Sequence, residues 1–174
     1  EYGDDNFDFM FWSDHGHIEI KKKYNLYSFF KEHDFNLKDF FHIIDSTNVR
    51  FWPNNEDQIT LVKEIMENIP EAHLVSDCDF DELHLPKDKR LYGELFYYLD
   101  GGTVFTHTIH GFGMTTKSMH GYHPNDPGNE GIFVSNKKIK VDTVTLPDVF
   151  VSTINSLSIN YSPSIKLDGK NVLS

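Results

Sequence analysis

The chain has 174 residues and a formal net charge of −11, from 16 Lys and Arg against 27 Asp and Glu, and this acidity argues against a broad basic face for duplex nucleic acid or anionic lipid. With 39% hydrophobic and 14% aromatic residues, the chain is too apolar to be disordered and long enough to bury a sizeable core. Its single cysteine, Cys78, excludes an internal disulfide and cysteine-based zinc modules, and no apolar run is long enough to predict a transmembrane helix in this segment.

A short aromatic run is the first element that the sequence predicts. Phe7–Trp12 is typical of a buried strand that opens into a polar loop. Helical spacing of apolar residues predicts a helix over Tyr24–His33, and Phe40–Trp52 has a strand-like pattern around a polar centre. Glu56–Asn68 carries apolar residues on one face and stops before a proline, so it is the clearest predicted helix.

The second half of the chain alternates short strands with loops. The predicted strands are Ala72–Ser76, Tyr92–Leu99, Thr103–Thr108 and Gly131–Ser135. Gly111–Asn129 lacks periodicity and predicts a long loop, a type of segment that is often functional. Thr145, with Asp148 three residues later, is typical of a capped helix start. Strands alternating with helices indicate an α/β sandwich.

The first candidate for chemistry is the pair Asp14–His15, directly after the first strand. In open α/β sheets, ligands bind beyond the carboxyl ends of strands. A carboxylate and an imidazole together suit zinc or a similar divalent ion, provided that the backbone turns so that both side chains reach it. The alternative is a loop in which Asp14 caps the next segment and His15 is a surface residue.

The second candidate is His120, in the motif Met119–Pro124 of the long loop. Only folding could bring it to His15. A single loop histidine is also typical of a solvent-exposed or structurally hydrogen-bonded side chain, and that alternative stays open. The neighbouring histidines are interpreted as polar loop or strand-edge residues rather than ligands; they are His107, His110 and His123.

Taken together, SDHG after an apolar strand and MHGYHP in a later loop resemble motifs of the type I phosphodiesterase/nucleotide pyrophosphatase family, in the alkaline phosphatase superfamily. Further matching stretches follow in the family's order over nearly the whole chain: DSTNVRFW at 45–52, YGEL at 92–95, LDGG at 99–102, GIFV at 131–134 and the closing segment 146–170. The resemblance implies an alkaline-phosphatase-like α/β sandwich with a central, mostly parallel sheet between helices. Residues 1–174 would be the C-terminal portion of its single catalytic domain.

The same resemblance implies a two-zinc site that hydrolyses phosphodiester or pyrophosphate bonds of a small phosphate ester or nucleotide. Asp14 and His15 would bind the zinc that activates the nucleophile, and His120 would bind the other. Paired metal ions stabilise both the attacking and the leaving oxygen of an in-line displacement. Manganese is the alternative metal, because Asp and His ligands accept both ions.

The chain also departs from the family pattern. The family's nucleophile and further ligands precede SDHG, and no residue before Ser13 fits those roles. We therefore expect the nucleophile upstream, no catalytic residue in this chain, and no useful turnover by the chain alone. His17 stands where the family often has Met. Its side chain could approach the metals, but it is interpreted as a tolerated loop substitution. A chain that holds only the C-terminal portion of the domain would expose edges of the family's central sheet. We therefore expect self-association or pairing with the missing N-terminal half.

Two other functional interpretations remain open. The parent protein could be a related phosphomonoesterase, sulfatase or phosphoglycerate mutase, because these enzymes share the Asp-His pair and the late histidine. The chain could instead be a truncated, non-catalytic binding module, which would hydrolyse nothing and bind metal weakly or not at all. No targeting signal is visible in the segment, and its substrate and compartment are left open.

Overall fold

The computed structural model describes residues 7–110, 116–162 and 164–174. Two compact units divide the chain: His17–Asn129 forms one, and the two ends, Glu1–Gly16 with Glu130–Ser174, form the other. The assignment of residues 1–174 to a single catalytic domain stays a prediction. No helix within the described residues has the length and apolar character needed to cross a bilayer.

Short strands and helices alternate along the chain. The strands are β1 (Met10–Trp12), β2 (Ile18–Glu19), β3 (Lys22–Tyr24), β4 (Phe41–Ile44), β5 (Asn48–Trp52), β6 (Ala72–Leu74), β7 (Leu95–Leu99), β8 (Thr103–Phe105), β9 (Ser118–Met119) and β10 (Phe133–Ser135). The α-helices are α1 (Leu26–Glu32), α2 (Glu56–Met66), α3 (Asp77–Glu82), α4 (Lys89–Tyr92) and α5 (Leu146–Ser156), and Leu37–Asp39 forms a 3-10 turn.

A four-stranded antiparallel sheet in the order β4-β5-β7-β6 is the centre of the larger unit. Every second residue of β5 and β7 is buried, as expected for a sheet with one core face. The core side chains include Leu26 and Phe30 of α1, Val62, Ile65 and Met66 of α2, and Val49, Phe51, Leu95, Tyr97 and Leu99 of the sheet. Burial raises the pKa of Tyr97 to about 12, because the charged phenolate would be desolvated.

Helix α2 begins where its sequence predicts. The side chain of Asn55 accepts a hydrogen bond from the Gln58 backbone N–H at 2.9 Å, and acidic residues occupy the first turn. Both features stabilise the N-terminal end of a helix. Its apolar stripe then faces the core, so burial and local propensity favour the same structure.

Two short strand pairs complete the larger unit. β3 and β8 are parallel, and β2 and β9 are antiparallel with Ile18 opposite Met119. In the smaller unit, β1 and β10 are antiparallel with Met10 opposite Ser135. Helix α5 of that unit has the predicted capping box, in which Thr145 and Asp148 each hydrogen-bond to the other's backbone N–H.

The structure confirms the α/β class and most predicted elements, with three main differences. The first strand, predicted as buried over Phe7–Trp12, spans Met10–Trp12, and Phe11 and Trp12 are exposed. The predicted strand Phe40–Trp52 is two strands joined by a turn, in which the Asp45 backbone N–H donates to Asn48 O at 2.8 Å. The mostly parallel sheet expected for this portion differs from the observed strand directions. Among the described strand pairs, only β3–β8 is parallel.

Several elements were not predicted from the sequence. They are β2, β3, the 3-10 turn, α3, α4 and β9, and the last of these lies within the predicted loop Gly111–Asn129. Residues 111–115 of that loop lie outside the described residues. The unpredicted elements have only two to six residues each. Segments this short do not extend far enough to display a period.

Candidate functional site

Asp14 and His15 bring two metal-binding atoms together at the end of β1. Asp14 Oδ2 lies 3.3 Å from His15 Nε2, and the side chains are 76% and 29% exposed, respectively. His15 Nδ1 donates a hydrogen bond to the carbonyl oxygen of Gly16 at 2.8 Å. A neutral imidazole that donates through Nδ1 presents a lone pair at Nε2, which is the form that binds metal.

The spacing of these two atoms fits one divalent ion. Two ligands held about 2.0–2.2 Å from a tetrahedral zinc lie about 3.3–3.6 Å apart. The two atoms are a carboxylate oxygen and an imidazole nitrogen, which are ligand types that zinc takes in proteins. The donor set therefore fits zinc, and it equally fits other divalent ions that accept oxygen and nitrogen ligands.

Ser13 has a structural role beside this pair. Its backbone N–H donates to Ile132 O at 3.0 Å, and its Oγ accepts a hydrogen bond from the Ile132 N–H at 3.0 Å. Gly131 allows this approach, because a Cβ there would come within 2.9 Å of the Ser13 carbonyl oxygen. These bonds extend the β1–β10 pairing up to Asp14. They hold Ser13 in place at the end of the strand pair.

His120 follows β9 in the larger unit, and contacts on its C-terminal side fix the backbone there. Thr47 Oγ1 donates a hydrogen bond to Gly121 O at 2.6 Å. Gly121 has a φ of +83°, a conformation that favours glycine, and the next residue, Tyr122, is buried. The His120 side chain is exposed between these anchors and the strand.

The structure also places a second imidazole, that of His17, beside His120. The ring centroids of His17 and His120 are 5.1 Å apart, with an interplanar angle of 64°. The only sequence signal for this contact was the departure from the family pattern at His17. Their proximity depends on the β2–β9 register, which joins segments far apart in the chain.

The other histidines of this region contact neighbouring side chains. His107 Nδ1 lies 3.2 Å from Thr106 Oγ1. His110 Nε2 lies 3.1 Å from Asp45 Oδ1. The His123 ring lies against the ring of Tyr98, with centroids 5.2 Å apart. These contacts give each ring a local partner on the scaffold.

A cavity of about 500 Å³ lies beside Asp14 within the smaller unit. Its lining combines the aromatic rings of Trp12 and Phe133 with the carboxylates of Asp14, Glu130 and Asp142. Three carboxylates repel an anion, so a phosphate ester would enter this cavity only with a cation to neutralise them.

The predicted ligands are distributed over both units. Asp14 and His15 belong to the unit formed by the chain ends, and His120 belongs to His17–Asn129. In the part of the chain that the structure describes, no group of three or more His, Cys, Asp or Glu side chains is placed to hold a metal ion. That Asp14, His15 and His120 serve one two-metal centre therefore stays a prediction.

Solved structures share this fold. Human ectonucleotide pyrophosphatase/phosphodiesterase 5 is 15% identical with a TM-score of 0.70, and the match covers 96% of this chain. An inactive variant of the murine protein, solved in complex with AMP, is 15% identical with a TM-score of 0.71 and covers 97% of this chain. By sequence, no protein-family model and no curated protein matches.

The similarity confirms the resemblance at the level of the fold, an α/β fold that this chain shares with these two structures. The chain spans less than half of each relative, 45% of the human protein and 46% of the murine one. At 15% identity, the similarity shows the shared fold alone.

Proposed function

We propose that the protein carrying this chain hydrolyses phosphodiester or pyrophosphate bonds at a site with two divalent metal ions. In this proposal Asp14 and His15 bind one ion and His120 binds the other. The observation that carries the proposal is the 3.3 Å approach of Asp14 Oδ2 to His15 Nε2, on a fold shared with ectonucleotide pyrophosphatase/phosphodiesterases. The murine relative solved with AMP supports a nucleotide or similar small phosphate ester as the substrate class.

The roles of this chain's residues follow from their contacts. Gly16 O accepts a hydrogen bond from His15 Nδ1, which orients the ring with Nε2 toward Asp14 Oδ2. The hydrogen bonds of Ser13 fix the strand end from which Asp14 projects. When bound, two zinc ions would stabilise the attacking and leaving oxygens of an in-line displacement. The nucleophile and the remaining ligands are assigned to sequence outside this chain, which would have no useful turnover alone.

The proposal is tested in the full-length protein that carries this chain. We expect hydrolysis of a chromogenic phosphodiester to exceed that of the matching phosphomonoester and sulfate ester. Substituting His120→Ala should remove one metal ion per molecule and slow hydrolysis by more than about 100-fold, because losing only the hydrogen-bond partner of a metal ligand already costs about 10–100-fold. Elemental analysis reports both the stoichiometry and the choice between zinc and manganese.

The controls separate the alternatives. His33→Ala removes an exposed histidine of the α1 end and should change neither rate nor metal content. Preferred cleavage of the monoester or the sulfate ester would favour another branch of the superfamily. Unchanged rate and metal content in His120→Ala would overturn the ligand assignment. Absence of both metal and hydrolysis in the unmodified protein would favour a non-catalytic module.

A further inference from the structure

The two imidazoles at the end of the β2–β9 pair have a geometry that the motif analysis did not assign. Ile18 lies opposite Met119, so the next residue outward on each side, His17 and His120, are cross-strand neighbours. Side chains at such positions have their Cβ atoms about 4.5–5.5 Å apart. Both histidines are exposed, and their rings meet edge to face.

The ring separation matches two imidazoles on one ion. With Zn–N bonds of about 2.0–2.1 Å and a near-tetrahedral angle, the ring centres of two coordinating imidazoles lie about 5 Å apart. The observed separation between His17 and His120 is 5.1 Å. Imidazole pairs suit zinc, copper and nickel better than magnesium or calcium.

Both strands that carry the pair are anchored to the same unit. On the β2 side, the Ile18 side chain packs against Gly101 and Gly128. A Cβ added to Gly101 would lie 3.0 Å from this side chain, and one added to Gly128 would lie 3.4 Å from it. On the β9 side, the Thr47 hydroxyl holds Gly121. A site on two fixed strands requires little reorganisation to bind its ion.

We propose that His17 is a second imidazole ligand beside His120, so that the pair binds one divalent transition-metal ion of the zinc class. This inference rests on the proposed function, because His120 is a ligand of the proposed centre. It replaces the interpretation of His17 as a tolerated loop substitution. The ligands come from within His17–Asn129 and need no residue of the other unit.

The competing explanation is a purely structural ring contact, and two substitutions separate the roles. His17→Phe keeps an aromatic ring but removes the nitrogen ligands. His17→Cys removes the ring but supplies a thiolate that binds zinc. A ligand role predicts loss of zinc affinity in the first variant and its rescue in the second. A purely structural ring contact predicts that zinc affinity is retained in His17→Phe, which keeps the ring, and is lost in His17→Cys, which removes it.

Zinc affinity is measured on the full 174-residue chain by competition with a chromogenic chelator. Cobalt absorption serves as an independent report of the coordination sphere. We expect His17→Phe and His120→Phe each to weaken zinc binding at least about tenfold, and the double variant to be little worse than either, because one remaining imidazole no longer chelates. His33→Phe, at an exposed histidine of the same unit, should leave affinity unchanged.

The outcomes distinguish this inference from the proposed function. Unchanged affinity in His17→Phe with weakened binding in His120→Phe overturns the role of His17 and leaves the proposed centre intact. Unchanged affinity in both overturns the ligand assignment of His120 as well. Weakened binding in both supports the His17–His120 site even if the full-length protein hydrolyses no phosphate ester.

Discussion

Thr47 is the residue that ties the segment carrying His120 to the four-stranded sheet. Its side chain is 3% exposed, and its hydroxyl donates to Gly121 O across a long stretch of sequence. Valine has nearly the same shape but no donor, so Thr47→Val isolates this one bond. The bond positions a proposed ligand as well as stabilising the fold, and the two effects can be measured separately.

We expect Thr47→Val to lower the free energy of unfolding by about 1 kcal/mol, the usual net contribution of one hydrogen bond. Zinc affinity should fall with it, because His120 loses an anchor on its C-terminal side. Urea unfolding and the chelator competition measure the two effects. Thr60→Val, on the exposed face of α2, is the matched control and should stay within about 0.5 kcal/mol of the unmodified protein. Equal effects of the two substitutions would contradict the anchoring role of Thr47.

At the residue scale, the sequence predicts contacts between adjacent residues better than contacts between residues far apart in the chain. Asp14 and His15 are adjacent, so their motif already predicts a shared ligand, and Asp14 Oδ2 lies 3.3 Å from His15 Nε2. That they share a metal ion stays a prediction. His17 and His120 meet only through the β2–β9 register. Nothing local to either histidine specifies that register, because a two-residue strand has too few side chains to mark one face as buried.

At the scale of elements, a helix can be predicted from the sequence when its segment carries both a capping signal at its start and an apolar face. Helices α2 and α5 carry both, and both were predicted. Helix α3 has a capping box, in which the Ser76 hydroxyl accepts from the Asp79 N–H, but none of its residues is buried. The capping box was the one sequence signal for this helix. Without an apolar face, the segment showed no helical period, so the helix was not predicted. In Phe40–Trp52, the apolar residues before and after the turn form one continuous pattern in the sequence, so the two strands were predicted as one.

Helix α5 gives a prediction that depends on pH. Asp148 accepts hydrogen bonds from the Lys170 N–H at 2.9 Å and from the Thr145 N–H at 3.0 Å. These bonds, that from Lys170 first, lower the pKa of Asp148. A carboxylate with a lowered pKa stabilises the fold fully above its unfolded pKa of about 3.9, and that contribution is lost as the pH falls through the folded value.

We therefore expect Asp148→Asn to destabilise the protein by about 1–2 kcal/mol at pH 7. The difference from the unmodified protein should shrink below about pH 4, as Asp148 itself becomes neutral. Urea midpoints at a series of pH values measure it. Asp168→Asn changes an exposed carboxylate of the same unit and serves as the control. A difference that stays constant with pH would show that the charge of Asp148 is not what stabilises the helix start.

At the scale of the whole molecule, the smaller unit exposes apolar surface on a two-stranded ribbon. Phe9, Phe11 and Val134 are 44%, 53% and 48% exposed, and Phe11 lies opposite Val134 across the strand pair. An isolated two-stranded ribbon is only marginally stable in water. This surface supports the proposal that the chain associates with itself or pairs with the missing N-terminal half.

We expect the isolated chain to sediment as species larger than 20.2 kDa. Burying one Phe contributes about 1.5–3 kcal/mol, and about 1.4 kcal/mol is a factor of ten. Phe11→Ser should therefore weaken the association about tenfold or more in sedimentation velocity. Leu91→Ser removes a side chain that is 66% exposed in the larger unit and should have little effect. A monodisperse monomer for the unmodified chain would contradict the proposal.

The pairing of β1 with β10 has a consequence for how the chain is made. Met10 is translated before the whole of His17–Asn129, and its partner Ser135 is translated only after it. The larger unit is continuous in sequence and can fold while translation proceeds. The aromatic strand Met10–Trp12 cannot pair with β10 until β10 has been translated. Strands that wait in this way are prone to aggregation. Within this chain, the exposed aromatic side chains of β1 therefore lack their β10 partner throughout the synthesis of the larger unit.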